Sequence, residues 1–250
     1  MLTKGIIKFI ETLKDKKVRS KQKLFIVEGE KSIVELLKSD FNIHSLFVTK
    51  SFFNQYRTLI QARSRLVLEL VEQGELERLG TFQSNAGGLA LVHQKDQKEP
   101  ILKHDDIVLV LSDVRDPGNL GTIIRIADWY GIKHIFASET TTDLYNHKTI
   151  AASMGSFLRV NVFYTNIVTF LQETKLPVFG ALLQGENLHE VTFPVGGILV
   201  IGNESNGITK EVEANITKRI TIPRFGDAES LNAGIATAVI LDNWRRNIRD

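Results

Sequence analysis

Residues 107–131, with the sequence IVLVLSDVRDPGNLGTIIRIADWYG, decide the fold. The continuous apolar run at 107–112 is typical of a strand that is buried on both faces. A turn over 116–118 follows it, and Asn119 is suited to be the N-cap of the next helix. The apolar face of that helix is formed by Ile123, Ile126, Ala127 and Tyr130. Arg125 points nearly opposite this face, so the stretch predicts a buried strand, a turn and an amphipathic helix.

The alternation of apolar strands and helices continues towards the C-terminus. Further strands are predicted at HIFAS (134–138), RVNVFY (159–164), PVFGALL (177–183), GILVIG (197–202) and RITIP (219–223). Further helices are predicted at 147–156, near Val168 and from Ser230 to about Arg246. Because continuous apolar strands alternate with helices, we predict an α/β fold with a mostly parallel sheet that is covered on both faces.

The N-terminal part is predicted to be a separate, smaller α/β unit. It alternates helical and strand-like runs and closes with the apolar strand in NAGGLALV (85–92). The polar segment HQKDQKEPILKHDD (93–106) then interrupts the pattern. We therefore predict a first domain at 1–95, a linker at 96–105 and a second domain at 106–250.

The composition excludes several classes of protein. The chain has 250 residues, of which 43% are apolar and 24% charged, enough to bury a core. It has no cysteine, which excludes disulfide frameworks, cysteine nucleophiles and metal sites built on thiolates. No two of its 18 glycines stand two positions apart, which excludes the GxG nucleotide loops. No run approaches the roughly 18 consecutive apolar residues of a membrane span, and we expect an intracellular, cytoplasmic protein.

A cluster of basic residues lies near the N-terminus. The segment KDKKVRSKQK (14–23) carries six basic side chains and one acidic side chain, Asp15. Such a cluster either contacts the phosphates of a nucleic acid or is a solvated helix end, and the residues alone leave both interpretations open.

Three segments of the predicted second domain combine glycine with small polar residues at the ends of strands. They are LSDVRDPGNLGTIIRIADWYG (111–131), LVIGNESNGI (199–208) and IPRFGDAESLNAGIATAVIL (222–241). In open α/β sheets, ligands bind at the carboxyl ends of the strands. Turn chemistry and close helix packing would explain each segment taken singly.

Taken together and in this order, the three segments resemble the motifs of the SpoU (TrmH-like) family of RNA ribose 2'-O-methyltransferases in the SPOUT superfamily. The residues that carry the resemblance are the Asn and Arg of NLGTIIRIAD, the GNE of IGNESNGI and the Ser-Leu-Asn of IPRFGDAESLNAGIA. More loosely, the first domain resembles the family's substrate-binding module, which is similar to ribosomal protein L30e, through KVRSKQKLFIVEGEKSIVELL and NAGGLALV.

The resemblance implies a deep trefoil knot and a homodimer that uses S-adenosylmethionine without a metal. It implies cofactor binding, largely through backbone groups, at Ala181, Leu182, Gly202, Ile222 and Leu231. It implies a catalytic site of Arg125, Asn119, Glu204, Ser230 and Asn232, with Arg125 serving the cofactor of the partner subunit. A guanidinium is a poor base at neutral pH, so we expect Arg125 to anchor a substrate phosphate rather than to remove a proton.

The implied substrate is a ribose 2'-hydroxyl of structured RNA. We expect large-subunit ribosomal RNA rather than transfer RNA, because the chain has a separate first domain and no long basic terminal extension. A non-catalytic RNA-binding or ribosome-assembly protein of the same fold, and methylation of a base, remain alternatives. The residues expected to meet RNA phosphates are Lys16, Lys17, Arg19, Lys21 and Lys23.

Overall fold

A computed structural model describes residues 2–80, 87–96 and 98–248. The chain forms two compact units, one made of Met1–Asp96 with Asp143–Leu158 and the other of Gln97–Thr142 with Arg159–Asp250. The sequence predicts 106–250 as one domain, whereas residues 143–158 of that range pack within the first unit.

The first unit is built on a four-stranded sheet. Its strands are β1 (Leu24–Glu28), β2 (Ile43–Val48), β3 (Val67–Leu70) and β4 (Gly88–His93), in the spatial order β1-β4-β2-β3. β4 is antiparallel to both of its neighbours, and β2 is parallel to β3. The helices that precede residue 96 are α1 (Lys4–Thr12), α2 (Lys16–Gln22), α3 (Glu30–Lys38), α4 (Lys50–Gln55), α5 (Arg57–Gln61) and α6 (Gln73–Leu79).

The second unit is built on a six-stranded sheet in which every pairing is parallel. The strands are β5 (Ile107–Leu111), β6 (His134–Ala137), β7 (Asn161–Tyr164), β8 (Val178–Asn187), β9 (Gly197–Ile201) and β10 (Lys218–Thr221), in the order β10-β8-β9-β5-β6-β7. The helices are α7 (Pro117–Trp129), α9 (Ile167–Glu173), α10 (Lys210–Glu213) and α11 (Ala233–Asn247), while α8 (His147–Ser153) belongs to the first unit. The predicted parallel sheet is confirmed, and the trefoil knot stays a prediction.

Two helices of the second unit begin at other residues than the sequence predicts. Asp116, not Asn119, is the N-cap of α7, because Pro117 fits the first helical position and the Asp116 carboxylate accepts the Asn119 backbone N–H at 2.8 Å. α11 begins at Ala233 rather than near Ser230, with Asn232 as its N-cap. Asn119 therefore lies in the first turn of α7, and Asn232 is the cap of α11.

The segment 143–158 is part of the aromatic core of the first unit. The ring of Tyr145 lies 4.5 Å from that of Phe25, and Phe157 packs edge-on against both Phe25 and Phe41. The Tyr145 hydroxyl accepts a hydrogen bond from the backbone N–H of Lys95 at 3.1 Å.

Within the described ranges, no helix has the length and apolar character that crossing a bilayer requires.

Candidate active site

Two neighbouring central strands of the second unit end side by side. β5 and β9 pair in register up to Leu111 and Ile201, and the N–H of Ser112 continues the pairing to the carbonyl of Ile201 at 2.8 Å. The residues that follow, Gly202 on one strand and Asp113 on the other, therefore start two loops at the same edge of the sheet. This edge is where a parallel sheet places ligands.

The loop after β9 is closed by Asn203. Its backbone exchanges two hydrogen bonds with Gly207, at 2.9 and 3.0 Å, and its side-chain oxygen accepts the N–H groups of Ser205 and Asn206, both at 2.9 Å. A Cβ atom at Gly202 would lie 2.4 Å from the carbonyl carbon of Gly207, so this tight turn requires glycine there.

Asn203 also ties its loop to the loop that follows β5. Its side-chain nitrogen donates to the carbonyl oxygen of Asp113 at 2.7 Å. Asp113 has a left-handed backbone with φ of 61°, and its N–H donates to Ser138 Oγ at 2.9 Å. Asn203 was not among the predicted site residues, although it is the Asn of the GNE motif.

A chain of side-chain hydrogen bonds joins Asn119, Glu204 and Asn232. Asn232 Nδ2 donates to Asn119 Oδ1 at 2.7 Å, and Asn119 Nδ2 donates to Glu204 Oε1 at 2.8 Å. Asn232 Oδ1 accepts the N–H groups of Gly234 and Ile235 in its role as N-cap. The structure therefore brings together one predicted site residue from each of the three sequence segments.

Arg115 joins the same site, and no sequence motif pointed to it. Its backbone N–H donates to Glu204 Oε2 at 3.4 Å, and its Nε donates to Asp113 Oδ1 at 3.0 Å. The hydrogen bond and the charge of Asp113 raise the pKa of the Arg115 guanidinium above its usual value. The guanidinium therefore remains charged at physiological pH.

A bulge in β8 lies at the same edge of the sheet. β8 pairs with β9 only as far as Gly180, and its pairing with β10 passes directly from Gly180 to Glu186 although Arg219 and Ile220 are adjacent. The five residues 181–185, which include Ala181 and Leu182, thus leave the regular ladder. The Leu182 carbonyl accepts the Thr221 hydroxyl at 2.9 Å. Bulges of this kind often occur beside active sites.

The segment between β10 and α11 has no helix or strand. Ile222 is half-buried, whereas Ser230 and Leu231 are exposed. Phe225 is 94% exposed, so this segment leaves a large apolar side chain in contact with solvent. The structure does not bring Ser230 into the hydrogen-bond chain of Asn119, Glu204 and Asn232.

Residues 106–242 match the model of the SpoU rRNA Methylase family. The chain belongs to this family. Residues 4–84 match the model described as MRM3-like substrate binding domain.

One curated protein and two solved structures are similar to the chain over nearly its whole length. RlmP of Bacillus subtilis strain 168, named as a 23S rRNA (guanosine(2553)-2'-O)-methyltransferase, is 27% identical over 96% of this chain and 95% of its own. A structure described as a putative RNA methyltransferase of the TrmH family from Porphyromonas gingivalis is 34% identical, with a TM-score of 0.86 over 99% of this chain and 100% of its own. An AdoMet-bound rRNA methyltransferase from Sinorhizobium meliloti is 28% identical, with a TM-score of 0.87 over 100% and 97% of the two chains.

Arg125, the arginine of the first SpoU motif, lies apart from the hydrogen-bond chain. It is exposed on α7, as its position opposite the apolar face predicts. It follows Asn119 by six residues, which places it about 9 Å further along the helix and on a different face. Within the described residues its side chain has no hydrogen-bond or ion-pair partner. Arg125 is therefore free to contact another molecule.

The basic cluster of this SpoU-family chain is smaller than the sequence predicts. Lys16, Lys17, Lys21 and Lys23 are exposed, but Arg19 is buried. Arg19 forms an ion pair with Asp143 at 2.6 Å. The prediction that Arg19 meets RNA phosphates is thus wrong for this structure, because burial and pairing occupy its guanidinium.

The histidines do not assemble into a metal site in the part of the chain that the structure describes. There, no group of three or more His, Asp or Glu side chains is placed to hold an ion. His134 and His147 each have a buried Nδ1 without a hydrogen-bond partner among these residues. Burial is the main cause that lowers the pKa of both imidazoles.

Proposed function

We propose that the chain transfers a methyl group from S-adenosylmethionine to a ribose 2'-hydroxyl of structured RNA, with 23S-type ribosomal RNA as the substrate. The observation that carries the proposal is the hydrogen-bond chain of Asn119, Glu204 and Asn232, which joins the three family motifs at the ligand-binding edge of the sheet. Similarity to RlmP over almost the whole of both chains favours the ribosomal substrate.

The same edge suits S-adenosylmethionine. The proposed cofactor-binding residues Ala181 and Leu182 lie in the bulge, Gly202 begins the tight loop, and Ile222 and Leu231 lie in the segment before α11. Apolar side chains beside unpaired strand ends match an adenosine that is held by backbone groups. The cofactor supplies an electrophilic methyl group on a positively charged sulfur.

The side chains of the chain then position the substrate. Asn119 and Asn232 fix the first and third motif segments to each other, and Glu204 connects the second motif to both. We assign Ser230 and Asn232 to the ordering of the cofactor loop, and Glu204 to the orientation of substrate groups. The hydroxyl must meet the methyl group in line and lose its proton as it does so.

Arg125 anchors a substrate phosphate in this proposal and acts on the site of a partner subunit. Arg125 and Asn119 lie on different faces of α7, which supports that assignment. A homodimer would cover Trp129 on α7, which is 84% exposed, and Ile235 on α11, which is 54% exposed. The two helices pack closely, since a Cβ atom at Gly234 would lie 2.9 Å from Thr122. Exposed apolar side chains on adjacent helices suit a two-fold interface.

The first unit binds RNA in this proposal. Its exposed residues Lys16, Lys17, Lys21 and Lys23 meet phosphates, and the match of residues 4–84 to a substrate-binding domain supports this. Contacts to shape and backbone suit folded RNA, with a loop nucleotide splayed out for methylation. A cytoplasmic location is part of the same proposal.

Transfer of labelled methyl from S-adenosylmethionine tests the function. Unmodified large-subunit ribosomal RNA and transfer RNA are assayed in parallel, and resistance to alkaline cleavage maps the 2'-O-methyl group. Label in ribosomal RNA that protects the adjoining phosphodiester is expected. Label in transfer RNA alone would show that transfer RNA, not ribosomal RNA, is the substrate. An absence of cofactor binding would favour the non-catalytic RNA-binding alternative.

A further inference from the structure

We propose that Arg115 binds a phosphate of the substrate RNA beside the nucleotide that is methylated, and that Asp113 holds the Arg115 guanidinium in place for this contact. Arg115 is thus a second phosphate-binding arginine, distinct from Arg125. The inference rests on the proposed function and adds a specific contact to it.

Asp113 is fixed on three sides. Its N–H donates to Ser138 Oγ at 2.9 Å, its carbonyl accepts from Asn203 at 2.7 Å, and its carboxylate accepts from Arg115 Nε at 3.0 Å. The Asp113 side chain is only 16% exposed, whereas that of Arg115 is 68% exposed. The carboxylate is therefore a rigid internal anchor, and the guanidinium is the group that RNA would meet.

The arginine keeps its phosphate-binding donors available. Nε is used by Asp113, but neither terminal amino group of Arg115 has a hydrogen-bond partner in the described residues. A planar guanidinium that is held at Nε and open at its two ends can bind a phosphate bidentately. Because the side chain is already oriented, less conformational entropy is lost when the phosphate binds.

The location of Arg115 connects this contact to the methylated nucleotide. Its backbone N–H bonds to Glu204, which also accepts from Asn119. The loops after β5 and β9 carry three carboxylates, from Asp113, Asp116 and Glu204. An incoming polyanion would be repelled by these charges unless a cation stood in front of them. Arg115 is an exposed cation among them and is paired with the carboxylate of Asp113.

A purely structural role of Arg115 would change other measured properties than phosphate binding would. If Arg115 only neutralised Asp113, its removal would alter the stability of the loop and the binding of the cofactor. If it binds a phosphate, its removal alters the affinity for RNA and the dependence of that affinity on salt. The two roles are therefore separable by measurements on the full-length protein.

The test compares Arg115→Gln, Arg115→Lys and Asp113→Asn with the wild type. Arg219→Gln is the matched control, since Arg219 is also exposed and ion-paired to a single carboxylate, that of Glu213. The dissociation constant of ribosomal RNA is measured from 50 to 300 mM salt. KM for RNA, kcat, the dissociation constant of S-adenosylmethionine and the thermal unfolding midpoint are measured alongside.

Arg115→Gln is expected to lower the slope of log affinity against log salt by about 0.7 to 0.9, the value of one phosphate contact. KM for RNA should rise about 10-fold, as for the loss of a charge-assisted hydrogen bond, without weaker cofactor binding. Arg115→Lys should keep the slope but raise KM, and Asp113→Asn should do the same because a neutral amide holds the guanidinium more weakly than the carboxylate does. Arg219→Gln should match the wild type.

An unchanged slope and KM in Arg115→Gln would overturn the inference, as would weaker cofactor binding or a lower unfolding midpoint in both Arg115 variants. The salt slopes need no turnover, so they test Arg115 even if the protein methylates neither RNA. Failure of methyl transfer by the wild type would instead count against the proposed function.

Discussion

The buried guanidinium of Arg19 donates two hydrogen bonds to one carboxylate oxygen of Asp143, from Nε at 3.1 Å and from Nη2 at 2.6 Å. Its Nη1 donates to the carbonyl oxygens of Leu13 and Lys14, at 2.9 and 2.7 Å. The Arg19 side chain is 3% exposed and that of Asp143 is 16% exposed. This ion pair fastens residues 143–158 to α2 inside the first unit.

Removal of one partner of this pair should destabilise the protein strongly. Asp143→Ala leaves a buried guanidinium without its counter-ion, which costs about 3 kcal/mol of unfolding free energy. Asp40→Ala is the control, because its pair with Lys95 is exposed and should contribute about 0 to 1 kcal/mol. Urea unfolding of the full-length variants measures both effects. Equal losses in the two variants would show that the Arg19–Asp143 pair is not the stronger one.

The hydrogen bond between Asn119 and Glu204 can be tested with a damaging substitution and a second substitution that compensates for it. Asn119→Asp replaces a donor with a carboxylate facing Glu204, and like charges about 3 Å apart repel by about 1.4 kcal/mol even in water, a factor of about 10. We expect at least that loss in methyl-transfer rate. Adding Glu204→Gln supplies a donor that faces the new carboxylate and should restore part of the rate.

The double variant decides between a contact and two separate roles. If Asn119 and Glu204 act through their hydrogen bond, the combined loss is smaller than the product of the two single losses. Losses that simply multiply would contradict the contact as the origin of the effect. Affinity for S-adenosylmethionine, measured by calorimetry, shows whether the loss lies in cofactor binding or in the chemical step.

The parts of the fold that depend on local sequence could be predicted. The run IVLVL of β5 and the run GILVI of β9 are apolar without interruption, so burial on both faces and a parallel sheet followed from the pattern. The expectation that Asn119, Glu204 and Asn232 belong to one site followed from the motifs. Their hydrogen bonds did not, because they join residues 85 and 113 positions apart.

The basic cluster shows why the rest could not be predicted. Arg19 looks like its neighbours in KDKKVRSKQK, and its partner Asp143 stands 124 positions away. A local pattern cannot distinguish an exposed arginine from one that is buried by a distant segment. Arg115 was missed for the same reason, since its role depends on the position of Glu204, 89 residues later.

Gly202 should not tolerate a side chain. In Gly202→Ala the new Cβ would lie 2.4 Å from Gly207 backbone, so the loop must shift, at a cost of about 1–3 kcal/mol. We expect loss of cofactor binding together with a lower unfolding midpoint. Gly74→Ala is the control, since nothing lies within 4 Å of its added Cβ. Tight cofactor binding by Gly202→Ala would contradict the assignment of this loop to the cofactor.

Charge reversal at two exposed lysines of α2 should weaken RNA binding. Lys17→Glu combined with Lys21→Glu removes two cations, and the salt slope of RNA affinity should fall by about 0.7 to 0.9 for each phosphate contact that is lost. Lys31→Glu combined with Lys38→Glu, at two exposed lysines of α3, controls for the change of net charge. Cofactor affinity should stay the same. RNA binding equal to that of the control would show that the α2 lysines face solvent and do not contact RNA.

The pH dependence of stability should carry a contribution from His147. Burial first, and then the charges of Lys14, Lys148 and Arg19, lower the pKa of its imidazole in the folded protein. As the pH falls below about 6.5, the unfolded chain binds a proton that the folded chain does not, so stability falls. His147→Gln should therefore lose less unfolding free energy than the wild type between pH 7.5 and 5.5.

Urea titrations at the two pH values measure this difference. His93 and His134 also have a pKa lowered mainly by burial, so some loss persists in the variant. The exposed His189 provides the control, and His189→Gln should behave as the wild type does. An equal loss in His147→Gln and the wild type would show that protonation of His147 does not limit the stability of the first unit in acid.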